Sequence, residues 1–174
     1  MKYLVKIFVV TFFLTFSTYS FAEQKIVYFN LKYTLNNSSA GKAAQDQLKK
    51  MFTDNQKKSE KKEKDLKKSE TDLIAKKSII LKEEYQKKAD TLRNKVIAYQ
   101  KERRESLDNI TLKRAKAKEQ LLNTINPILE KYSKDNNISI ILNSKSVLFG
   151  SQGSDITKLI VDQLNKELPS IKLK

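Results

Sequence analysis

The fold of this chain is decided by residues 42–126, which read KAAQDQLKKMFTDNQKKSEKKEKDLKKSETDLIAKKSIILKEEYQKKADTLRNKVIAYQKERRESLDNITLKRAKAKEQLLNTIN. This stretch contains neither Gly nor Pro, the two residues that most often end or kink a helix. Its apolar residues recur at alternating steps of three and four, a heptad-like pattern that is typical of a helix packing along a narrow seam. We therefore predict that the stretch is helical, with polar interruptions in its seam.

The seam positions form two series, one on each side of the middle of the stretch. The first series is Leu48, Phe52, Asn55, Ser59, Lys62, Leu66, Ser69, Leu73, Lys76 and Ile80, and the second is Tyr85, Ala89, Leu92, Val96, Tyr99, Arg103, Ser106, Ile110, Lys113 and Ala117. A single rod would be roughly 125 Å long at ~1.5 Å rise per residue. A hairpin instead lets the two halves cover each other, and positions equidistant from about Leu81 favour it. The predicted cross-pairs are Leu73 with Ala89, Leu66 with Val96, Phe52 with Ile110, and Lys62 with the ring of Tyr99.

The tip of the hairpin is predicted near residues 78–83, which read SIILKE. Ser78 can cap the second helix, and Glu83 and Glu84 then lie near the positive end of that helix. The run Ile79-Ile80-Leu81 is unusually apolar for a region that is otherwise rich in Lys. Two interpretations remain open: these side chains are exposed and contact a partner, or they pack against each other and plug the turn.

Residues 1–22 have the three parts of a secretory signal peptide. Lys2 and Lys6 give the positive start, residues 7–16 the apolar run, and residues 20–22 a small-x-small cleavage signal. The apolar run is too short for a stable membrane span. We expect export across the inner membrane to the periplasm, cleavage after Ala22, and a soluble mature chain that begins at Glu23.

Short β-type segments flank the helical stretch. The predicted strands are residues 25–31 (KIVYFNL), 138–142 (ISIIL) and 146–149 (SVLF), all rich in β-branched or aromatic residues. Residues 36–39 form a polar turn that can cap the long helix, and Gly41 fits a loosely packed helix entrance. A final amphipathic helix is predicted from about Asp155 and is stopped by Pro169.

These elements predict an α+β fold in which one long antiparallel hairpin is inserted into a small β-strand body. We call residues 42–134 the arm, and residues 23–41 together with 135–174 the body. The outgoing helix should end near Lys77 and the return helix should run from about Glu83 to Lys134, bending or changing its packing partner at Pro127. A body of fewer than about 75 residues is only marginally stable without disulfides, a structural metal or partner subunits. We therefore expect a homo-oligomer whose strands join across subunits.

The charge of the chain is strongly positive, at +15. Between residues 42 and 119, 24 Lys and Arg stand against 14 Asp and Glu, so the arm carries most of the excess. Doublets of Lys along a helix give a positive field that attracts anionic partners at rates that fall with salt. The alternative is a solvated Lys-rich helix from an AT-rich genome, since Lys outnumbers Arg by 31 to 4.

The residues of common catalytic and metal sites are missing from the sequence. The chain has no Cys and no His, which removes disulfides, thiolate sites, and the commonest general base and metal ligand. It contains no GxxxxGK[ST], GxSxG or HExxH motif. The carboxylate pairs Glu83–Glu84 and Glu102–Glu105 fall on exposed helix with no pocket around them. We predict no enzymatic activity, no catalytic residue, no metal and no cofactor.

The layout as a whole resembles the Skp (OmpH) family of periplasmic chaperones. The resemblance rests on the signal peptide, KIVYFN, Ala40-Gly41-Lys42 after a polar turn, the long basic hairpin, ISIILNSKSVLFG and SDITKLIVDQLNK. It implies a trimer in which a small intersubunit β-barrel carries three coiled-coil tentacles around a cavity. It also implies a holdase that keeps unfolded outer-membrane β-barrel proteins from aggregating, without ATP.

The resemblance and the residues together suggest two sets of site residues. The candidate client-binding residues are Ile79, Ile80, Leu81, Tyr85, Lys61, Lys62, Lys67, Lys68, Lys76, Lys77, Lys87 and Lys88. Many weak contacts of this kind give avidity without one tight site. The resemblance further implies an anionic lipid or lipopolysaccharide site at Lys95, Arg103 and Arg104, although residues 97, 105 and 106 depart from the family pattern.

Two other classes of protein compete with a chaperone. A structural coiled-coil envelope or scaffold protein would have a well-packed seam and no exposed apolar tip, and the interrupted seam argues mildly against it. A nucleic-acid-binding protein would explain the basic charge. Export removes the usual nucleic-acid partner, and any affinity for DNA in vitro would follow from charge alone.

Overall fold

The structure is a computed structural model that describes residues 25–173, so the predicted signal peptide lies outside the described residues. The elements follow in the order β1 (Lys25–Phe29), α1 (Leu31–Asn37), α2 (Ser39–Ala75), α3 (Lys82–Asp135), β2 (Ile138–Asn143) and α4 (Thr157–Glu167). Short 3₁₀ turns at Ser144–Ser146 and Gln152–Ser154 connect β2 to α4. The predicted fold class is confirmed: a small sheet carries a long helical hairpin formed by α2 and α3.

The seam of the arm lies where the heptad pattern predicts it. Leu48, Ile110 and Ala117 are buried at its base. The predicted positions that are half-buried further out are Asn55, Ser59, Lys62, Leu66, Leu73, Ile80, Tyr85, Ala89, Leu92, Val96, Tyr99, Ser106 and Lys113. The exceptions are Phe52, Ser69, Lys76 and Arg103, which are exposed. Beside two of them the half-buried residue is the preceding one, Met51 and Glu102. A two-helix seam covers each residue from one side only, which is why most of its members stay half-exposed.

The turn at the tip is held by backbone hydrogen bonds. The N–H of Ile80 donates to the carbonyl of Lys76 at 3.2 Å, and Leu81 is the N-cap of α3 without a side-chain hydrogen bond. The prediction that Ser78 caps this helix is therefore wrong. Glu83 and Glu84 do lie in the first turn of α3, where carboxylates interact favourably with the helix dipole.

The corner between α1 and α2 is closed by one residue, Ser38. Its buried hydroxyl accepts a hydrogen bond from the N–H of Gly41 at 3.1 Å and so caps α2. Sequence reasoning did not foresee α1, which begins after its own cap, Asn30. The predicted loose helix entrance is also wrong: Gly41 is buried, and a Cβ built on it would lie 1.9 Å from the carbonyl oxygen of Leu35.

The two strands pair in parallel, with the whole arm between them in sequence. Val27 and Phe29 face the helices and are buried. Ile26 pairs with Ile140, and both are exposed on the opposite face of the sheet. Because successive side chains of a strand point to opposite faces, this two-stranded sheet is apolar on both sides.

The predicted third strand, residues 146–149, is wrong for the described part of the chain. Ser146 ends a 3₁₀ turn, and the residues after it have no ladder partner. Leu148 is 106% exposed and Phe149 is 93% exposed. The following Gly150 is pressed against the ring of Tyr28, so the loop is held in place while its two large apolar side chains project into solvent.

The core of the body also takes side chains from the base of the arm. Leu121, Ile125 and Ile128 of α3 pack with the strands and with α4. Pro127 therefore lies inside the helix at the level where α3 packs on the body, in agreement with the predicted change of packing partner.

The C-terminal segment is hydrogen-bonded to α2 through Gln47. The side chain of Gln47 donates to the carbonyl of Ile171 at 2.6 Å and accepts from the N–H of Leu173 at 3.0 Å.

Candidate functional site

A charged layer crosses the seam near the middle of the arm. The Oε1 of Glu102 on α3 lies 2.8 Å from the Nζ of Lys58 on α2, and its second carboxylate oxygen binds the Nζ of Lys62. One turn closer to the tip, the hydroxyl of Tyr99 donates to Glu63 at 2.6 Å, and the guanidinium of Arg103 lies 3.5 Å from the same carboxylate. These contacts join the two helices where the seam has few apolar residues.

The layer changes the proton affinities of its members. Hydrogen bonds from Lys58 and Lys62 lower the pKa of Glu102 to about 2. Partial burial, followed by its hydrogen bond to Glu63, raises the pKa of Tyr99. Glu102 is therefore an anion, and Tyr99 a neutral hydrogen-bond donor, throughout the neutral range. Lys62 and Tyr99 line the same small gap, which agrees with their predicted pairing across the seam, and the ammonium of Lys62 binds Glu102.

Between this layer and the tip, the two helices leave an open groove on one side of the arm, which we call the distal groove. It holds a space of about 1180 Å³. Apolar side chains of both helices line it, among them Leu66, Leu73, Ile74, Tyr85, Val96 and Leu107. Its cationic residues are Lys67, Arg93, Arg103 and Arg104, against two carboxylates, Glu63 and Glu70.

A smaller groove of about 330 Å³ lies on the opposite side of the same seam. Leu73 and Leu92 line both grooves, so they form the thin wall between them. The smaller groove is polar and contains Lys76, Lys88 and Lys95, but only one carboxylate, Asp72.

The tip presents apolar side chains to solvent. Ile79 is 77% exposed and Leu81 is 79% exposed, whereas Ile80 and Tyr85 are half-buried. Of the two interpretations of this run, the structure therefore favours exposure: two of the three residues do not plug the turn.

The arrangement of body, arm and tip matches known proteins. The sequence model of a family described as outer membrane protein (OmpH-like) matches residues 25–164. This chain belongs to the OmpH-like family. Its fold is similar to that of a Caulobacter crescentus protein, a provisionally assigned OmpH-like outer membrane chaperone, with a TM-score of 0.80 and 20% sequence identity. The match covers 86% of this chain and 88% of the other. No protein of curated function matches the sequence.

The predicted client-binding lysines of this OmpH-like arm are spread around it. Lys61, Lys68, Lys77 and Lys87 are exposed, and Lys67 lies in the distal groove. Two of the predicted lysines are held by carboxylates, Lys62 by Glu102 and Lys88 by Glu84, the latter at 2.6 Å. Hydrogen bonding to Lys88 in turn lowers the pKa of Glu84. Their contact with a client stays a prediction.

The three residues predicted for an anionic lipid or lipopolysaccharide site do not share one groove. Lys95 lies in the smaller groove, while Arg103 and Arg104 lie in the distal groove on the other side of the seam. Arg103 is also engaged by Glu63. A single anionic group could therefore contact the two arginines together, but the arrangement offers no common pocket with Lys95.

The body has a further exposed apolar surface. It consists of Ile26, Ile140, Leu142, Leu148 and Phe149. The sequence predicted strands that join across subunits, but it did not show that one face of the sheet would be bare. Alternation could have revealed it, because the consecutive pairs Ile26-Val27 and Ile140-Ile141 place apolar residues on both faces.

Other kinds of site find little support within residues 25–173. This part of the chain has no group of three or more Asp or Glu side chains close enough to hold a metal ion. Nor does it contain a helix that is long and apolar enough to cross a membrane. Sequence reasoning also missed the distal groove, because its width depends on side-chain volumes on both helices at once.

Proposed function

We propose that this OmpH-like protein is an ATP-independent holdase chaperone of the periplasm. As a homotrimer it binds unfolded outer-membrane β-barrel proteins in a cavity between its basic arms and prevents their aggregation. Family membership supports a chaperone role in general. The signal-peptide pattern of residues 1–22 supports the periplasm as its compartment.

One observation supports client binding above all: the arm exposes apolar side chains among an excess of cations. Ile79 and Leu81 at the tip are exposed, and Lys76, Lys77 and Lys82 flank them in the sequence. Exposed apolar residues bind the apolar segments of an unfolded chain, while the positive field attracts its acidic segments. Because each contact is weak, a client is held by many of them and is released without nucleotide.

The proposal is tested with the mature chain, residues 23–174, and a urea-unfolded outer-membrane β-barrel protein. The client is diluted into buffer without nucleotide, at low and high salt, and aggregation is followed by light scattering. We expect suppression at about one trimer per client that weakens as salt rises. Aggregation that proceeds unchanged beside a stable elongated oligomer would contradict the proposal and favour a structural scaffold.

A pair of matched variants tests the role of the tip. Ile79→Ser/Leu81→Ser removes two exposed side chains, and Ser at position 81 is a good N-cap, so we expect the fold to persist. We expect this variant to need a several-fold higher concentration for the same suppression. The control, Ile97→Ser/Leu112→Ser, removes two exposed apolar residues of the arm away from the tip. Equal loss in both variants would show that the tip has no special role.

A further inference from the structure

The distal groove contains apolar residues that the seam does not use. Ile74 is 60% exposed at the end near the tip, and Leu107 is 45% exposed at the end near the body. Between them the floor is made by half-buried residues of both helices, such as Leu66 and Val96. The small side chain of Ala89 and the larger one of Leu73 also line it.

The length of the groove matches one particular kind of segment. Along α3 it runs from Tyr85 to Leu107, which is about 33 Å at ~1.5 Å per residue. An extended chain covers this distance in about ten residues at ~3.3 Å each. A strand that spans a membrane in a β-barrel has about 9–11 residues.

The chemistry of the groove suits a strand with two different faces. Membrane-spanning strands of β-barrels alternate apolar and polar residues. In the groove the apolar side chains of such a strand would lie on the floor, and its polar side chains and backbone would face the open, hydrated side. The backbone then keeps its hydrogen bonds to water and avoids the cost of burial without partners.

The cations at the rim of the distal groove favour a bound segment that carries acidic residues. Lys67 on α2 and Arg104 on α3 form no ion pair with any residue in 25–173, whereas Arg93 and Arg103 are each engaged by a carboxylate. Two uncompensated cations on opposite helices favour a segment with Asp or Glu on its polar face or next to it.

We infer that the distal groove of each arm binds a single amphipathic strand of an unfolded β-barrel protein, about ten residues long. This inference rests on the proposed function and assigns a substrate segment to one surface of the arm. The tip and the cationic faces then bind the remainder of the client.

The test uses the mature protein and a fluorescein-labelled ten-residue peptide in which Leu, Tyr or Val alternate with Thr, Ser or Asp. Binding is measured by fluorescence anisotropy. In Ile74→Ser/Leu107→Ser both exposed groove residues become polar. The matched control is Ile97→Ser/Leu112→Ser, whose residues are 56% and 53% exposed on the same arm but do not line the groove. Circular dichroism verifies that both variants keep their helix content.

We expect the groove variant to bind the alternating peptide about tenfold or more weakly than the wild type, since two apolar contacts are lost. The control variant should bind it within about twofold of the wild type. A second peptide of the same composition, with its apolar residues in one consecutive block, should bind more weakly than the alternating one.

Three outcomes would overturn the inference. The groove variant and the control variant could bind the peptide equally well, or the block peptide could bind as tightly as the alternating one. Peptide binding could also fall as protein concentration rises, which would assign the groove to a second copy of this chain. Each result is distinct from failure of the proposed function, in which the wild-type protein does not suppress aggregation of the full-length client.

Discussion

At the scale of single residues, the corner between α1 and α2 requires glycine at position 41, because there is no room there for a Cβ. Ser38 alone separates the two helices, and its side chain must reach the N–H of Gly41. This brings the carbonyl of Leu35 into the space that a Cβ of residue 41 would take. The obstacle is backbone rather than a flexible side chain, so it cannot move aside without distorting α1.

We therefore expect Gly41→Ala to destabilise the protein by roughly 1–3 kcal/mol, the usual cost of overpacking. The free energy of unfolding, measured by urea titration with circular dichroism, is the test. Gly153→Ala is the matched control, because a Cβ there meets nothing within 4 Å. We expect the control to change stability by less than about 1 kcal/mol. An unchanged unfolding free energy for Gly41→Ala would contradict the geometry of this corner.

At the scale of elements, the charged layer aligns the two helices of the arm. Glu102 reaches across the seam to Lys58 and Lys62, which lie one turn apart on α2. A shift of one helix along the other would separate this carboxylate from both ammonium groups. The layer therefore adds to the apolar contacts of the seam in favouring the observed register.

The layer makes the stability of the arm dependent on pH. The pKa of Glu102 is about 2 in the folded protein, compared with 4.5 for a glutamate carboxyl without such partners. Because the folded pKa is depressed, the contribution of these contacts is fully present above about pH 4.5 and is lost as the pH falls towards 2. We expect Glu102→Gln to lower the Tm by a few degrees at pH 7. The difference from wild type should shrink between pH 4.5 and 2.

Thermal melting by circular dichroism across this pH range tests the layer. Glu105→Gln is the control, since that carboxylate lies 3.8 Å from Lys101 on its own helix and makes no contact across the seam. We expect its Tm to stay close to that of the wild type at every pH. If both variants melted alike, the cross-seam contacts of Glu102 would have no role in holding the register.

The hairpin could be predicted from the sequence because its pattern is local and repeated over many turns. The half-buried residues Leu66, Val96 and Tyr99 lie in the predicted register. The strand predicted at residues 146–149 failed because a strand needs a neighbour, and apolar content alone does not supply one. The distal groove could not be predicted, since it depends on how the side chains of both helices pack together.

At the scale of the whole molecule, the body is apolar on a surface that nothing in residues 25–173 covers. Ile26 and Ile140 lie on the bare face of the sheet, and Leu148 and Phe149 project beside it. A body of this size is only marginally stable by itself. Covering this surface with other copies of the chain would supply the missing burial.

If this surface joins copies in the proposed homotrimer, Leu148→Ser/Phe149→Ser should weaken self-association about tenfold or more, since two large apolar side chains lose their burial. The average mass from multi-angle light scattering should fall towards that of one chain on dilution. The tip variant Ile79→Ser/Leu81→Ser is the control and should keep the wild-type mass. A mass that is unchanged in the body variant would assign the exposed loop to another partner.

The parallel pairing of the two strands also dictates an order of folding. Lys25 pairs with Ile138, and closing so long a loop costs more entropy than closing a short one. Once α2 and α3 have packed against each other, however, the two ends of the arm lie side by side. The segment that still has to close between β1 and β2 is then effectively only a few residues long. We expect nucleation in the hairpin and late closure of the sheet, so that an emerging chain forms its arm before it displays the exposed apolar surface of the body.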